Sequence, residues 1–357
     1  MSVTNRVNVM ISTDPAGQGG VASVVKAMLA DSFSADWQIR HIVSHRAGSK
    51  VSMIWIFLLA LGKLTLLRLL HRPGIAHIHL ASRGSFSRKN LLAKWAHKLG
   101  FKVILHLHGA QFDQFYHHEC NTAKQQKVAD LFGLASKVVV LGDKWQHWIK
   151  VTFPKVRDVK IIYNPGPRNV PSRSASLSPT VIFLGRLGER KGVADLLKAL
   201  PAVVARFPNM KLILGGDGDL QRYRHQATSL GLSEHIKFAG WIGVEEKFSL
   251  MSSAWLFVLP SYSEGFPVGI VEAMACGVPI VASDVGGIPD AITNEQEGIL
   301  IEAGNITALA DALIRMLSDS ELAERFASNA QRKYEQNFSS QAIMPLWQQL
   351  YTEILND

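Results

Sequence analysis

The sequence predicts an α/β fold made of two doubly wound domains, and three observations lead to that prediction. The chain has 357 residues, which exceeds a single typical core and suits two domains. Its composition, 47% hydrophobic and 19% charged residues, is typical of a well-buried globular protein. Short β-branched runs also alternate with segments of helical period, and this alternation predicts βαβ units around parallel sheets.

The first half of the chain contains six strand-like runs, with helical stretches between most of them. These runs are Val7–Ser12, Gln38–Val43, Ile75–Leu80, Val103–Leu107, Lys137–Leu141 and Lys160–Tyr163. A Pro- and Ser-rich stretch over 164–179 then breaks the pattern, as expected at a domain boundary. We therefore predict a first domain over 1–165.

A second alternation follows the boundary and ends in three helical segments. Its predicted strands are Thr180–Leu184, Lys211–Leu214, His235–Phe238, Trp255–Leu259, Pro279–Ala282 and Gly298–Ile301, and the helices lie near 305–317, 319–335 and 339–355. We predict a second domain over 166–338, a final helical segment over 339–357, and a cleft between the two domains.

Charge is distributed unevenly along the chain. Residues 1–165 hold 22 Lys and Arg against 8 Asp and Glu, a net +14, whereas residues 166–357 have a net −5. This asymmetry indicates that the first domain faces something anionic, such as a phospholipid surface, a diphosphate-bearing acceptor or nucleic acid. No nucleic-acid-binding module accompanies the basic half, so nucleic acid is not an expected partner.

Cysteine usage and the first residues both favour a cytoplasmic protein. Cys120 and Cys276 lie far apart without metal-binding spacing, which argues against a disulfide framework or a zinc site. The segment before Val7 lacks the apolar region of a signal peptide.

Residues 51–70 leave three alternatives open. The uncharged, mostly apolar run from Val51 to Gly62 is shorter than the ~20 residues that a span needs, and Lys63 and Arg68 interrupt the segment. A buried core helix, a helix lying in the membrane interface with Trp55, and a true transmembrane span all remain possible.

The strongest chemical signal is the run Glu264-Gly265-Phe266-Pro267-Val268, which follows a predicted strand. Pro267 is expected to be the first residue of a helix, where its missing N–H costs nothing. The free amides around Phe266–Gly269 would then form a site for a diphosphate. Glu264 precedes this helix and Glu272 lies in its second turn, so the two carboxylates can reach different parts of one extended ligand.

A second signal, Gly185-Arg186-Leu187-Gly188-Glu189-Arg190-Lys191-Gly192, also joins a strand to a helix. Arg186 and Lys191 suit a departing diphosphate, because fixed cations stabilise its growing charge without a metal. Arg186 comes directly after a buried strand, where an unpaired charge would be expensive. Gly216 and Asp217 are expected to line the nucleotide pocket.

Two further candidates lie in the first half. The glycine-rich loop that contains Gly19 and Gly20 follows the first strand and permits close approach of a phosphate or a sugar. His108 ends the Val103–Leu107 strand, where it can hydrogen-bond a sugar hydroxyl or serve a structural role.

On these residues the chain resembles glycosyltransferase family 4, the retaining enzymes of GT-B fold with two Rossmann-like domains. Glu264 and Glu272 match the family's E-x7-E pattern, Arg186 and Lys191 match its diphosphate-binding pair, and Gly19-Gly20 matches its glycine loop. The resemblance implies that Glu264 contacts the transferred sugar, that Glu272 holds the ribose and that His108 faces the donor sugar. It also implies that the final helix crosses back to the first domain. The segment Asn164-Pro165-Gly166 departs from the family's usual Asn-Gly hinge, which shifts the expected boundary by several residues.

The resemblance implies transfer of a hexosyl group from a UDP- or GDP-hexose to a saccharide acceptor, without a metal or other cofactor. Asp217-Gly218-Asp219 is similar to the metal motif of another glycosyltransferase class, but its place after a strand favours a pocket-lining turn. The basic first half suggests a lipid-linked acceptor in exopolysaccharide, capsule or O-antigen/lipopolysaccharide biosynthesis, with peripheral contact at the inner face of the cytoplasmic membrane. The alternatives are a non-catalytic nucleotide-sugar-binding subunit and a nucleotide-sugar epimerase of the same fold.

Overall fold

The protein forms two compact units, each built on one parallel sheet. The computed structural model describes residues 6–17, 19–156, 158–174 and 179–356. The chain passes from the first unit to the second between Pro165 and Gly166, and it returns between Ser340 and Gln341. The second unit thus extends two residues beyond the predicted end at 338. Part of the predicted boundary segment, residues 175–178, lies outside the described residues.

The first unit contains a six-stranded parallel sheet, counted over the described residues, with the strand order β2-β1-β3-β4-β5-β6. Its strands are β1 (Arg6–Thr13), β2 (Ile39–His45), β3 (Arg72–Leu80), β4 (Lys102–Leu107), β5 (Lys137–Val140) and β6 (Val159–Ile161). Its helices are α1 (Gly20–Ala30), α2 (Ser32–Asp36), α3 (Lys50–Leu70), α4 (Gly84–Lys98), α5 (Phe112–Gln114), α6 (Thr122–Leu134), α7 (Asp143–Thr152) and α15 (Ser340–Asn356), and a π-helical turn spans Phe115–Glu119.

The second unit contains another six-stranded parallel sheet, over the same described ranges, with the order β12-β11-β10-β7-β8-β9. Its strands are β7 (Thr180–Leu184), β8 (Lys211–Gly215), β9 (Ile236–Gly240), β10 (Leu256–Leu259), β11 (Ile280–Ser283) and β12 (Ile299–Ile301). Its helices are α8 (Val193–Arg206), α9 (Leu220–Ser229), α10 (Val244–Ser253), α11 (Val268–Cys276), α12 (Ile288–Ala291), α13 (Ile306–Ser318) and α14 (Ser320–Asn337), and a 3₁₀ turn spans Glu189–Lys191.

The two faces of the first sheet carry different side chains. Ile78 and Leu80 of β3 join an apolar core with Phe86 and Leu92 of α4. Successive strand residues point to opposite faces, so the histidines of β3 face away from that core. There the last helix, α15, covers them, and the Trp347 ring lies 4.6 Å from the His77 ring.

Helix α3 is not the buried core helix that the sequence left as one alternative. Only Ala60 and Leu64 are buried along its length, while Trp55, Leu59 and Leu69 are 61%, 64% and 77% exposed. Within the described residues it is the one helix long and apolar enough to cross a membrane, and only 11% of its most apolar stretch is buried. Apolar residues surround the whole helix, so docking one face on the core leaves another apolar face in contact with solvent.

Candidate functional site

The predicted donor residues lie at the carboxyl edge of the second sheet. The first strand of this sheet, β7, is central, with β8 on one side and β10 on the other. The chain first adds β8 and β9 on one side of β7 and then adds β10, β11 and β12 on the other side. The strand order therefore reverses between β7 and β10, and the loops after these two strands meet there. Ligands of doubly wound folds bind at such a switch point. These two loops carry Arg186, Lys191 and Glu264.

Glu264 is buried and is held by side chains from both loops. Lys191 Nζ donates to Glu264 Oε1 at 2.5 Å, and Ser261 Oγ donates to the same oxygen at 2.6 Å. Arg190 Nη1 lies 3.7 Å from Glu264 Oε2. A buried carboxylate needs such partners, because leaving an unpaired charge in the interior is expensive. The structure thus brings together two predicted site residues that lie 73 positions apart.

Arg186 differs from the sequence expectation, because its side chain is exposed rather than buried behind the strand. The strand ends at Leu184, and Gly185 (φ +155°) turns the backbone so that Arg186 points outward. Among the described residues it has no ion-pair or hydrogen-bond partner. An exposed guanidinium without a partner is available to bind an oxyanion.

The helix that follows Glu264 starts one residue later than predicted. Pro267 is the N-cap, with extended backbone (ψ 114°), and α11 begins at Val268. Phe266 is buried against Phe338, with the ring centroids 5.3 Å apart. The first amides of a helix have no acceptor within it, so the amides of Val268 and Gly269 are placed for an anion.

Glu272 occupies the second turn of α11, as predicted, and is buried. Burial raises the pKa of its carboxyl group, although Lys247 of α10 opposes the shift by its charge and by a hydrogen bond. Because Glu272 and Glu264 have separate cationic partners, the two carboxylates form two separate sites along the helix.

Glycines let the loops at this sheet edge touch through their backbones. A Cβ on Gly216 would lie 1.9 Å from the backbone carbonyl oxygen of Gly185. A Cβ on Gly286 would lie 1.9 Å from the backbone carbonyl oxygen of Glu264. The Leu187 amide also donates to the Asp217 carbonyl at 2.6 Å. Gly216 and Asp217 therefore support the Arg186 loop directly, and side chains at these glycines would push the loops apart.

His108 belongs to a row of four stacked histidines in the first unit. His77 and His79 lie on β3, and His106 and His108 lie at and just after the end of β4, with adjacent ring centroids 4.0–5.3 Å apart. His79 Nδ1 lies 2.8 Å from His108 Nε2. Burial lowers the pKa of His108 to about 3, with a smaller contribution from Lys89, so its imidazole is neutral at pH 7. A neutral imidazole can accept a hydrogen bond from a sugar hydroxyl.

The remaining histidines of this row form the one group of the described residues with the dimensions of a metal site. The nearest ligand nitrogens of His77, His79 and His106 all lie within 4.8 Å of one another. His77 already uses both ring nitrogens, at 3.0 Å from Tyr351 Oη and 3.1 Å from His106 Nδ1. This row was not predicted from the sequence, although it has a visible signal there, namely histidines two residues apart at the ends of two adjacent strands.

The predicted glycine loop lies at the carboxyl end of β1, where Gly19 (φ +105°) is the N-cap of α1 and Gly20 is its first residue. Gln18, between Gly17 and Gly19, lies outside the described residues. The structure therefore places Gly19, Gly20 and His108 in the first unit, and Arg186, Lys191, Gly216, Asp217, Glu264, Gly265, Phe266, Pro267, Val268 and Glu272 in the second.

Comparison of the sequence with known proteins gives matches over about half of the chain. Residues 171–333 match the family described as "Glycosyl transferases group 1". A phosphatidyl-myo-inositol mannosyltransferase of Mycobacterium leprae is 39% identical over 181 residues, which is 49% of this chain and 48% of that protein. The capsular polysaccharide biosynthesis glycosyltransferase CapM of Staphylococcus aureus is 26% identical over 175 residues, 49% of this chain and 46% of that protein. The chain thus spans about half the length of the curated relatives it matches.

Solved structures match over almost the whole chain. Sucrose-phosphate synthase from Thermosynechococcus elongatus has a TM-score of 0.82 at 20% identity, covering 99% of this chain and 100% of that chain. The Anabaena protein HepE, solved in complex with UDP and glucose, has a TM-score of 0.76 at 19% identity, covering 98% and 100%. These likenesses confirm the predicted α/β fold class of GT-B type.

Proposed function

Because residues 171–333 belong to the group 1 glycosyl transferase family, we propose that the protein is a retaining hexosyltransferase that uses a nucleotide diphosphate sugar. The observation that carries this proposal is the contact of Lys191 with the buried Glu264, in the same loop as the exposed Arg186. Cations for a diphosphate and a carboxylate for sugar hydroxyls thus lie together at the switch point of the sheet.

In the proposed reaction the bond between the anomeric carbon and the diphosphate oxygen breaks while an acceptor hydroxyl attacks the same face. The acceptor's proton passes to the departing diphosphate oxygen, and the configuration at the anomeric carbon is retained. Negative charge grows on the diphosphate as the bond breaks. Arg186, Lys191 and the first amides of α11 stabilise that charge, and fixed groups of this kind need no reorganisation in the transition state.

The two carboxylates have different roles in this proposal. Glu264, held by Lys191 and Ser261, binds hydroxyls of the transferred sugar near the breaking bond. Glu272, in the second turn of α11, accepts hydrogen bonds from the ribose. UDP- or GDP-hexose is the proposed donor, and no metal takes part.

The acceptor is proposed to be a lipid-linked saccharide, reached at an anionic membrane surface. The exposed apolar face of α3 supports this, since an interfacial helix buries such a face among lipid headgroups. Lys50 and Arg72 flank the helix and are exposed, which suits anionic lipid. Because Ala60 and Leu64 fix α3 to the first unit, we favour a helix that lies in the interface over one that spans the membrane.

The biological setting that we propose is surface-polysaccharide assembly at the inner face of the cytoplasmic membrane. The names of two relatives support this, one a capsular polysaccharide glycosyltransferase and the other a mannosyltransferase acting on phosphatidyl-myo-inositol. Exopolysaccharide, capsule and O-antigen/lipopolysaccharide are the polymers that fit.

The donor chemistry is tested by incubating the protein with a panel of UDP-, GDP- and ADP-hexoses and a crude lipid extract. Released nucleoside diphosphate is measured. Arg186→Ala and Lys191→Ala should each remove about 2–4 kcal/mol of transition-state stabilisation, a loss of about 30- to 1,000-fold in turnover. Lys198→Ala, an exposed position on α8, is the control and should not change turnover. Donor binding without release would favour a non-catalytic subunit, and unchanged turnover in both site variants would refute the diphosphate assignment.

Membrane contact is tested by co-sedimentation with vesicles that contain phosphatidylglycerol, at physiological salt. Trp55→Glu and Leu59→Glu should abolish sedimentation, because each places a charge on the apolar face of α3. The control is Val244→Glu, at a 58% exposed apolar position of the second unit, which should sediment like the unchanged protein. Failure of the unchanged protein to sediment would refute the membrane contact and leave the donor chemistry untouched.

A further inference from the structure

Two cations of the first unit lie partly or fully buried without an acidic partner. Lys89 of α4 is 3% exposed, and its ammonium donates to the neutral hydroxyl Ser44 Oγ. The preceding Arg88 is half-buried, and its Nε is buried without a hydrogen-bond partner. Within the described ranges, no carboxylate oxygen lies at ion-pair distance from either residue. Burying a charge costs free energy, and among the described residues no opposite charge offsets that cost for Lys89 or Arg88.

The titratable groups on which the charge of Lys89 acts are basic as well. Burial is the main cause that lowers the pKa of His41, His45, His79 and His108, and the positive charge of Lys89 lowers each of them further. Arg88 likewise adds to the effect of burial in lowering the pKa of Lys89 and His45. Lys63 of α3 also acts on His41.

The nearby acid is already occupied. Asp14, which follows β1, acts on His41, but its carboxylate accepts a hydrogen bond from Arg46 Nε at 2.6 Å. The charges of Lys89 and Arg88 therefore act on histidines of β2 and β3 and on His108 after β4, and the one carboxylate of the described residues that acts on His41 is paired with Arg46. Such a cluster attracts an anion.

The cluster lies where the strand order of the first sheet reverses. The chain runs from β1 to β2 on one side and then to β3 on the other. Lys89 belongs to the helix after β3 and reaches Ser44 near the end of β2, while Ser44 Oγ donates to the Ser12 carbonyl near the end of β1 at 2.7 Å. The carboxyl ends of all three strands are thus joined at the position where doubly wound sheets bind ligands.

We propose that Lys89 and Arg88 form a binding site for a phosphate group, and that this phosphate belongs to the acceptor. The Lys89 ammonium supplies a compact charge, and Arg88 supplies a planar set of donors that matches two oxygens of an oxyanion. A doubly charged phosphate compensates both cations, whereas one carboxylate would compensate only one. The assignment to the acceptor rests on the proposed function, whereas anion binding by this cluster does not.

Anion binding is tested with sulfate, whose charge stays constant between pH 6 and 9. Titration calorimetry is done in the Arg186→Ala/Lys191→Ala background, which removes the two diphosphate-binding cations of the second unit, with chloride at equal ionic strength as the reference. Lys89→Met and Arg88→Gln should each weaken sulfate binding at least tenfold. Lys98→Met, an exposed lysine of the same helix, should leave it unchanged. Binding should also weaken as pH rises above 7, because burial lowers the pKa of Lys89 to about 7 and the bound form needs its proton.

If Lys89→Met, Arg88→Gln and the protein with the unchanged cluster bind sulfate with equal affinity, the proposed anion site is wrong. Far-ultraviolet circular dichroism of each variant shows whether it is folded. Arg88→Gln keeps a half-exposed polar side chain, so it tests the cluster even if Lys89→Met does not fold.

The acceptor is tested separately, by comparing KM for a soluble sugar phosphate, for the same sugar without phosphate, and for a lipid-diphosphate saccharide in vesicles. Lys89→Met should raise KM for the phosphorylated acceptors at least tenfold relative to the phosphate-free sugar. A rise for both phosphorylated acceptors assigns the site to the sugar phosphate group, and a rise for the vesicle-borne acceptor alone assigns it to the lipid carrier. An unchanged KM ratio would overturn the acceptor assignment. Absence of transfer from any donor would instead refute the proposed function, while the sulfate result would still decide the site.

Discussion

Replacing Lys89 with methionine should stabilise the first unit at neutral pH, because methionine removes a buried charge and keeps most of the side-chain volume. Burial lowers the pKa of Lys89 from 10.5 to about 7, and the charge of Arg88 adds to the shift. Between these two values the unfolded chain binds more protons than the folded one. The stability contributed by this residue is therefore complete at high pH and falls as the pH decreases through the window from 10.5 to 7.

The size of the effect follows from that pKa difference. At about 1.4 kcal/mol per pKa unit, the ionised Lys89 costs roughly 4 kcal/mol at pH 7 and roughly 1 kcal/mol at pH 9.5. Lys89→Met also loses the hydrogen bond to Ser44, worth about 1 kcal/mol, although Ser44 Oγ keeps the Ser12 carbonyl as its acceptor. A net gain of about 3 kcal/mol at pH 7 should therefore shrink to near zero at pH 9.5.

The assay is hydrogen exchange of the amides of β1, β3 and β4, which reports the opening free energy of the first unit alone. It is measured at pH 7 and pH 9.5 for the unchanged chain, Lys89→Met and the control Lys98→Met. The opening free energy of the control Lys98→Met should stay within about 0.5 kcal/mol of that of the unchanged chain at both pH values, as expected for an exposed position. A Lys89→Met variant that is less stable at pH 7, or whose stability change does not depend on pH, would refute the burial argument.

Three further predictions concern the second unit and the proposed chemistry. Gly286→Ala should raise the donor KM at least tenfold, since its Cβ would lie 1.9 Å from the backbone carbonyl oxygen of Glu264 and φ is +60°, whereas Gly243→Ala, with open space around its Cβ, should not change the steady-state KM. Glu272→Gln should raise the donor KM with a smaller change in kcat, because the proposed ribose contact exists before and during the reaction. An equal fall in kcat and kcat/KM would contradict that role. Dialysis against EDTA should leave nucleoside diphosphate release unchanged, and recovery of lost activity on adding Mn²⁺ or Mg²⁺ would disprove the metal-free reaction.

The strands were predictable because strands of a parallel sheet are buried on both faces and appear as continuous apolar runs. Thr180–Leu184 was predicted with its observed bounds, β1 is one residue longer than predicted at each end, and β4 is one residue longer at its start. Helix α3 could not be placed in the same way. Its composition is apolar all round, and only the docking of Ala60 and Leu64 decides which face is covered.

The candidate site was predictable as a set of residues but not as a set of contacts. Strand-to-helix turns identified Arg186, Lys191 and Glu264, because such turns lie at the carboxyl edge of a sheet. The pairing of Lys191 with Glu264 depends on β7 and β10 being neighbours, which the order of strands along the chain does not specify. The exposure of Arg186 depends on the backbone at Gly185, where φ is +155°. Neither the Lys191–Glu264 contact nor the exposure of Arg186 can be predicted from the spacing of residues along the chain.

The return of the chain to the first unit at Gln341 affects the order in which the protein can fold during synthesis. The second unit is contiguous in sequence. The first unit is not, because it includes Trp347 and Tyr351, which cover His77 and are synthesised near the end of the chain. A ribosome must therefore finish nearly the whole chain before the first sheet can bury its histidine face, although domains often fold in order from the N-terminus. The second unit needs no later segment and can be complete without residues 341–357. Purified chains truncated after residue 340 should resist protease in the second unit and be cut in the first.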